Sequence, residues 1–122
     1  MPATVVLVHE DAVFRRTLAQ AFAEKGLEVA AFSDALEAMM ALENAHRVQI
    51  LITQIDFAPG KSNGVALARM MRVRRTDAAA FFLGDQSLHV HAVDVGIALP
   101  AEIEVPELVG HALAELQKIR EV

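Results

Sequence analysis

Thr4-Val5-Val6-Leu7-Val8-His9-Glu10-Asp11 sets the architecture of the chain. Its first five residues form a continuous, largely β-branched run with no polar alternation, the pattern of a strand covered on both faces. The run stops at three polar residues. An amphipathic stretch follows, in which Phe14, Leu18 and Phe22 recur at i, i+4 and i+8, a helical stripe that ends at Gly26.

The same alternation repeats downstream. Leu27-Glu28-Val29-Ala30-Ala31-Phe32 predicts a second strand. Ser33 or Asp34 is suited to cap the next helix, with Glu37 as capping partner, and that helix continues through Met39 and Leu42. Val48 to Thr53 predicts a third strand, followed by the turn-rich Ala58-Pro59-Gly60-Lys61-Ser62-Asn63-Gly64. Leu67, Met70 and Met71 mark a third helix ending in Arg72, Arg74 and Arg75. Ala78 to Leu83 predicts a fourth strand and Ile97-Ala98-Leu99 a short fifth. Pro106 suits the first turn of a last helix whose stripe is Leu108, Val109, Ala112, Leu113 and Leu116. Leu88-His89-Val90-His91-Ala92-Val93-Asp94-Val95 alternates like a strand, yet a parallel crossover needs a helix there, so a short or irregular helix is expected over 86–95.

Strict β/α alternation implies an α/β fold, a doubly wound parallel sheet with helices on both faces. Functional residues then gather at the carboxyl ends of the strands, near the topological switch point. Those ends are Val8-His9-Glu10-Asp11, Thr53-Gln54-Ile55-Asp56, Leu83-Gly84-Asp85 and Pro100-Ala101-Glu102.

Composition narrows the function classes. A chain of 122 residues, 54% hydrophobic and 22% charged, suits one globular domain over 1–122. Eleven basic against 16 acidic residues give a formal charge of −5, which argues against a nucleic-acid or anionic-membrane binder. The absence of cysteine excludes disulfides, thiolate chemistry and Cys-ligated metal sites. No apolar run approaches the roughly 18 residues of a membrane helix. Met1-Pro2-Ala3-Thr4 carries no basic region of a secretory signal, so a soluble cytoplasmic protein is expected.

At the strand ends the chain resembles the receiver domain of bacterial two-component response regulators, from about Val5 to Leu116. Val8-His9-Glu10-Asp11 with Arg15-Arg16 resembles the family's first strand, acidic cluster and first helix. Ile50-Leu51-Ile52-Thr53-Gln54-Ile55, with Pro59-Gly60 and Asn63-Gly64, resembles its third strand and phosphoacceptor loop. Val105-Pro106-Glu107-Leu108-Val109 resembles the start of its last helix. The resemblance implies a flavodoxin-like five-stranded sheet in the order 2-1-3-4-5. It also implies a phosphoryl switch: an aspartate ending the third strand accepts phosphoryl from a histidine kinase. Two acids after the first strand help hold Mg²⁺, and a Ser/Thr after the fourth strand and a Lys after the fifth contact the phosphoryl oxygens.

The chain departs from that pattern at nearly every position. The phosphoacceptor position is Gln54; the Ser/Thr position is Gly84; the Lys position is Ala101, followed by Glu102 where proline is usual. The first acid is His9, and the second is Glu10, one methylene longer than the usual Asp. A carboxylate can attack phosphorus, whereas the neutral amide of Gln54 is a poor nucleophile and adds no charge for Mg²⁺. Gly84 has no hydroxyl and Ala101 no ammonium to offset phosphoryl charge. The losses are mutually consistent, because a Lys beside a neutral Gln would be a partly buried, unpaired charge. His9, Glu10, Asp11 and Asp56 remain as a vestigial acidic pocket. Glu10, Asp11 and Asp56 are the carboxylates that would hold Mg²⁺, and only weakly; no resident cofactor is expected.

Other features carry simpler explanations. His9 reads as a hydrogen-bonded loop histidine before it reads as a pH-sensitive group or ligand. His89 and His91, two apart, do not face one another on a helix. Gly60-Lys61-Ser62 matches the tail of a P-loop, but Ile55 stands where that motif needs glycine. Arg69, Arg72, Arg74 and Arg75 complement the helix dipole, with an acidic docking partner as the minority alternative. The apolar last helix, Pro106 to Ile119, must first pack on the sheet. A mean hydropathy of +0.35 nonetheless favours an interaction surface there, as in the homodimers this family forms through its last helices and fifth strand.

The leading expectation is therefore a non-enzymatic, phosphorylation-independent receiver-like module. It would bind a signalling protein such as a histidine kinase or regulator, or pair as a homodimer, with no nucleic-acid or membrane partner. The alternative is an active phosphoacceptor using Asp56, which stands eight residues before Gly64 as the family's aspartate does. A flavodoxin-like small-ligand binder is a distant third, weakened by the lack of Trp, Tyr and glycine-rich phosphate loops.

Overall fold

Five short strands, β1 (Val5–Val8), β2 (Val29–Phe32), β3 (Ile50–Gln54), β4 (Ala79–Gly84) and β5 (Ile97–Pro100), form one sheet in the order β2-β1-β3-β4-β5. Every pairing is parallel. This is the expected doubly wound, flavodoxin-like arrangement. Among the described residues the helices are α1 (Ala12–Ala23), α2 (Ala35–Asn44), α3 (Gly64–Arg74) and α4 (Val105–Arg120). The computed structural model describes residues 5–44, 48–55, 64–74, 77–84 and 96–120. The expected helix over 86–95, the turn residues 58–63, His89, His91 and Asp56 lie outside these.

Because side chains alternate along a strand, the sheet carries two cores. Val5, Leu7, Ile50, Ile52, Phe81 and Leu83 pack with Leu18 and Phe22 of α1 and Leu108, Ala112 and Leu116 of α4. Val6, Val8, Leu51, Ala80 and Phe82 pack on the other side with Ala35, Ala38 and Leu42 of α2 and Leu67, Ala68 and Met71 of α3. Burial on both faces is why β1 shows no polar alternation. Each fully buried Leu or Phe contributes about 1.5–3 kcal/mol of transfer free energy. The stripe of α4 is spent on the first core; its exposed positions are Pro106, Glu107, Gly110, His111, Ala114, Gln117 and Lys118.

Local chemistry fixes the element ends. Asp11 caps α1, its Oδ1 accepting from the N–H groups of Val13 (2.9 Å) and Phe14 (3.3 Å). Of the two candidates before α2, Asp34 accepts the Glu37 N–H at 2.9 Å. Gly26 turns the chain after α1 at φ 80°, a region that favours glycine. Gly64 starts α3 where a Cβ would collide with the Gln54 carbonyl oxygen and come within 2.9 Å of Thr53 Cγ2. Among the described residues, no helix is long and apolar enough to cross a membrane.

Candidate functional site

The carboxyl ends of β1, β3, β4 and β5 lie side by side. Register pairs Val8 with Thr53, Gln54 with Leu83, and Gly84 with Pro100. Gln54 ends β3, and its Oε1 accepts the backbone N–H of Glu10 at 2.6 Å. Its amide oxygen therefore ties the β1–α1 loop to the sheet. Thr53 is the buried polar residue among the described core; its hydroxyl donates to the Gln54 carbonyl at 2.9 Å.

The β1–α1 loop is held by a second device. Arg15 Nη1 donates to the carbonyl oxygens of His9 (2.7 Å) and Glu10 (3.1 Å). A fixed guanidinium thus sits over the segment where the resemblance puts metal-binding acids. His9 lies half-buried against Phe14, with ring centroids 4.4 Å apart. Its Nδ1 accepts the Asp11 N–H at 3.0 Å, so that nitrogen is unprotonated. Burial lowers the His9 pKa from its ordinary 6.5; Arg15 lowers it further, while Asp11 and Glu10 pull the other way. The Asp11 carboxylate is committed to the helix cap, and Glu10 is exposed.

Gly84 is not an empty version of a hydroxyl position. A Cβ built there would meet Ile55 Cδ1 at 2.8 Å, Cγ1 at 3.1 Å and Cβ at 3.2 Å. Ile55 is buried, and its backbone donates to the Leu83 carbonyl (3.1 Å) and accepts from the Gly64 N–H (2.9 Å). Ala101 and Glu102 are exposed in the turn after β5. β4 separates Ala101 from β3, about 10 Å or two strand spacings.

The structure thus brings His9, Glu10 and Gln54 together and places Gly84 against Ile55. It leaves Ala101 two strands from Gln54. Among the described residues, no three His, Asp or Glu side chains are placed to hold a metal ion. Two residues hold the site in ways that the sequence does not announce. Arg15 signals its role only as a basic residue one turn into the helix after β1. Ile55 signals its role only as a bulky residue one register step from a glycine.

Several solved structures similar to this chain are receiver domains. A response regulator receiver protein from Sinorhizobium medicae is 17% identical with a TM-score of 0.84, covering 97% of each chain. A CheY-like response regulator receiver domain protein from Methanospirillum hungatei is 14% identical with a TM-score of 0.85, covering 99% of this chain and 98% of that one. The receiver domain of the hybrid histidine kinase CckA is 24% identical with a TM-score of 0.74, covering 92% and 97%. No protein-family model and no curated protein sequence matches the chain. The chain has the fold of the response-regulator receiver domains of two-component signalling.

Proposed function

We propose that this chain is a receiver-fold module without the phosphoryl switch, which acts in two-component signalling by binding another signalling protein. A histidine kinase or a response regulator is the partner class. The module is not an enzyme and needs no resident Mg²⁺. One observation carries this reading: at the phosphoacceptor position, the Gln54 amide oxygen accepts the Glu10 N–H at 2.6 Å. The side chain offers no carboxylate for attack on phosphorus, and it holds the loop without a metal. Ile55 against Gly84 supports the same reading, because a residue carrying that hydroxyl would have to displace the Ile55 side chain to place its Cβ. Arg15, bonded to the His9 and Glu10 carbonyls, holds the same loop through a second side chain of the protein itself.

The test is incubation of the whole chain with acetyl phosphate and Mg²⁺, followed by intact-mass measurement. The expected mass is unchanged. A stoichiometric gain of one phosphoryl group that disappears in Asp56→Asn would overturn the proposal and install Asp56 as the acceptor.

A further inference from the structure

Among the described residues, the large apolar side chains that remain exposed are not on α4. Leu36 (63%) and Met40 (62%) are one turn apart on α2 and Val73 (83%) is on α3, whereas Val13 (67%) on α1 and Ile97 (37%) on β5 each stand singly on other elements. Beneath them Met39 and Met70 are half-buried and pack against the core under these two helices. Leu36, Met39 and Met40 share one side of α2, by their spacing of three and four; Met70 and Val73, three apart, share one side of α3. The helices touch each other, α2 over β2 and β1, α3 over β3 and β4. With right-handed crossovers, both helices run antiparallel to the strands, and this phase turns both strips toward the groove between them. The groove therefore continues outward from the core as a strip rich in methionine, a side chain that adapts to a partner's shape.

The banks of the strip say what fits it. Glu37 is exposed on α2 beyond the strip, and Arg69 is exposed on α3 beyond it on the other side. A uniformly acidic or basic partner meets like charge on one bank. A second copy does not: a two-fold axis along the groove lays α2 of one copy over α3 of the other and matches Glu37 with Arg69 twice. We propose that the α2–α3 face is a self-association surface for a second copy of this chain, with Leu36, Met40 and Val73 at its centre and a Glu37–Arg69 pair at each edge. This surface is independent of the reading of the strand ends.

Sedimentation equilibrium of the whole chain from micromolar to millimolar concentration tests it. The mass is expected to rise from monomer to dimer. Leu36→Glu and Val73→Glu, both at exposed positions, are each expected to abolish the rise while leaving the thermal melting temperature near that of the parent. Glu37→Arg alone and Arg69→Glu alone are each expected to weaken dimerisation by about three- to tenfold, the scale of an exposed ion pair lost and replaced by repulsion at two edges. The double variant Glu37→Arg/Arg69→Glu is expected to restore it. A monomer at every concentration, a dimer indifferent to Leu36→Glu and Val73→Glu, or a charge swap without rescue would each overturn the proposal. So would binding of a different protein to this face without self-association.

Discussion

Gln54 shows how a neutral side chain can keep a loop in place where a charged one would need company. Its oxygen accepts the Glu10 N–H, and Arg15 holds the carbonyls of His9 and Glu10, so the loop is pinned at its amide and carbonyl groups. His9 adds a pH dependence with a defined sign. Its folded pKa lies below 6.5, chiefly through burial, so the unfolded chain binds the proton more readily. The contribution to stability is full above 6.5, declines as pH falls from there toward the lowered value, and changes no further below it. Protonation also removes the Nδ1 lone pair that accepts the Asp11 N–H and places charge beside Arg15, with Asp11 and Glu10 offsetting part of it. Urea unfolding from about pH 8 to about pH 5 should show this decline, and His9→Asn should flatten it. A second residue-scale prediction concerns Gly84. Gly84→Ser is expected to cost about 1–3 kcal/mol by overpacking against Ile55. Combined with Ile55→Ala, it should cost less than the sum of the two single changes, because the truncated side chain vacates the space the new Cβ needs.

At the scale of elements, α3 depends on a single close approach. Its first residue, Gly64, donates its N–H to the Ile55 carbonyl at 2.9 Å and leaves no room for a Cβ beside the Gln54 carbonyl. Gly64→Ala should therefore push the start of α3 away from β3 and cost about 1–3 kcal/mol in urea unfolding, although alanine favours helices. The order of elements was legible because continuous apolar runs and helical stripes are local signals. β1, α1 and the α4 stripe lie where the spacing of Val5–Val8, Phe14–Phe22 and Leu108–Leu116 puts them. The positions of Gln54, Gly84 and Ala101 at strand ends were legible for the same reason. The Arg15 clamp and the Ile55 filling were not, because each depends on a side chain reaching a neighbouring element whose register local patterning leaves open. The apolar stripe of the last helix packs on the sheet. An apolar stripe does not say how much of itself a sheet will cover, and here Leu108, Val109, Ala112 and Leu116 are all buried.

For the molecule as a whole, the question is whether the strand ends still form one electrostatic unit. Gln54 ends β3 and Ala101 follows β5, with Leu83 and Gly84 of β4 between them. That gap of about 10 Å is one that a lysine side chain from position 101 can narrow and an alanine cannot. Gln54→Asp alone adds a carboxylate near Glu10 and Asp11 and, being one methylene shorter, strains or loses the bond to the Glu10 N–H. Arg15, already bonded to two carbonyls, offsets only part of the added charge. A loss of about 1–2 kcal/mol is expected, the equivalent of one to two pKa units of like-charge repulsion. Ala101→Lys in the same chain should recover much of it by pairing its ammonium with the new carboxylate. The two changes should then be non-additive by at least about 0.5 kcal/mol, the coupling of groups that meet. A double-mutant cycle by urea denaturation without Mg²⁺ measures this directly. Strict additivity would mean that positions 54 and 101 do not face one another, and the assignment of Gln54, Gly84 and Ala101 to the places of a phosphoryl switch would fall with it.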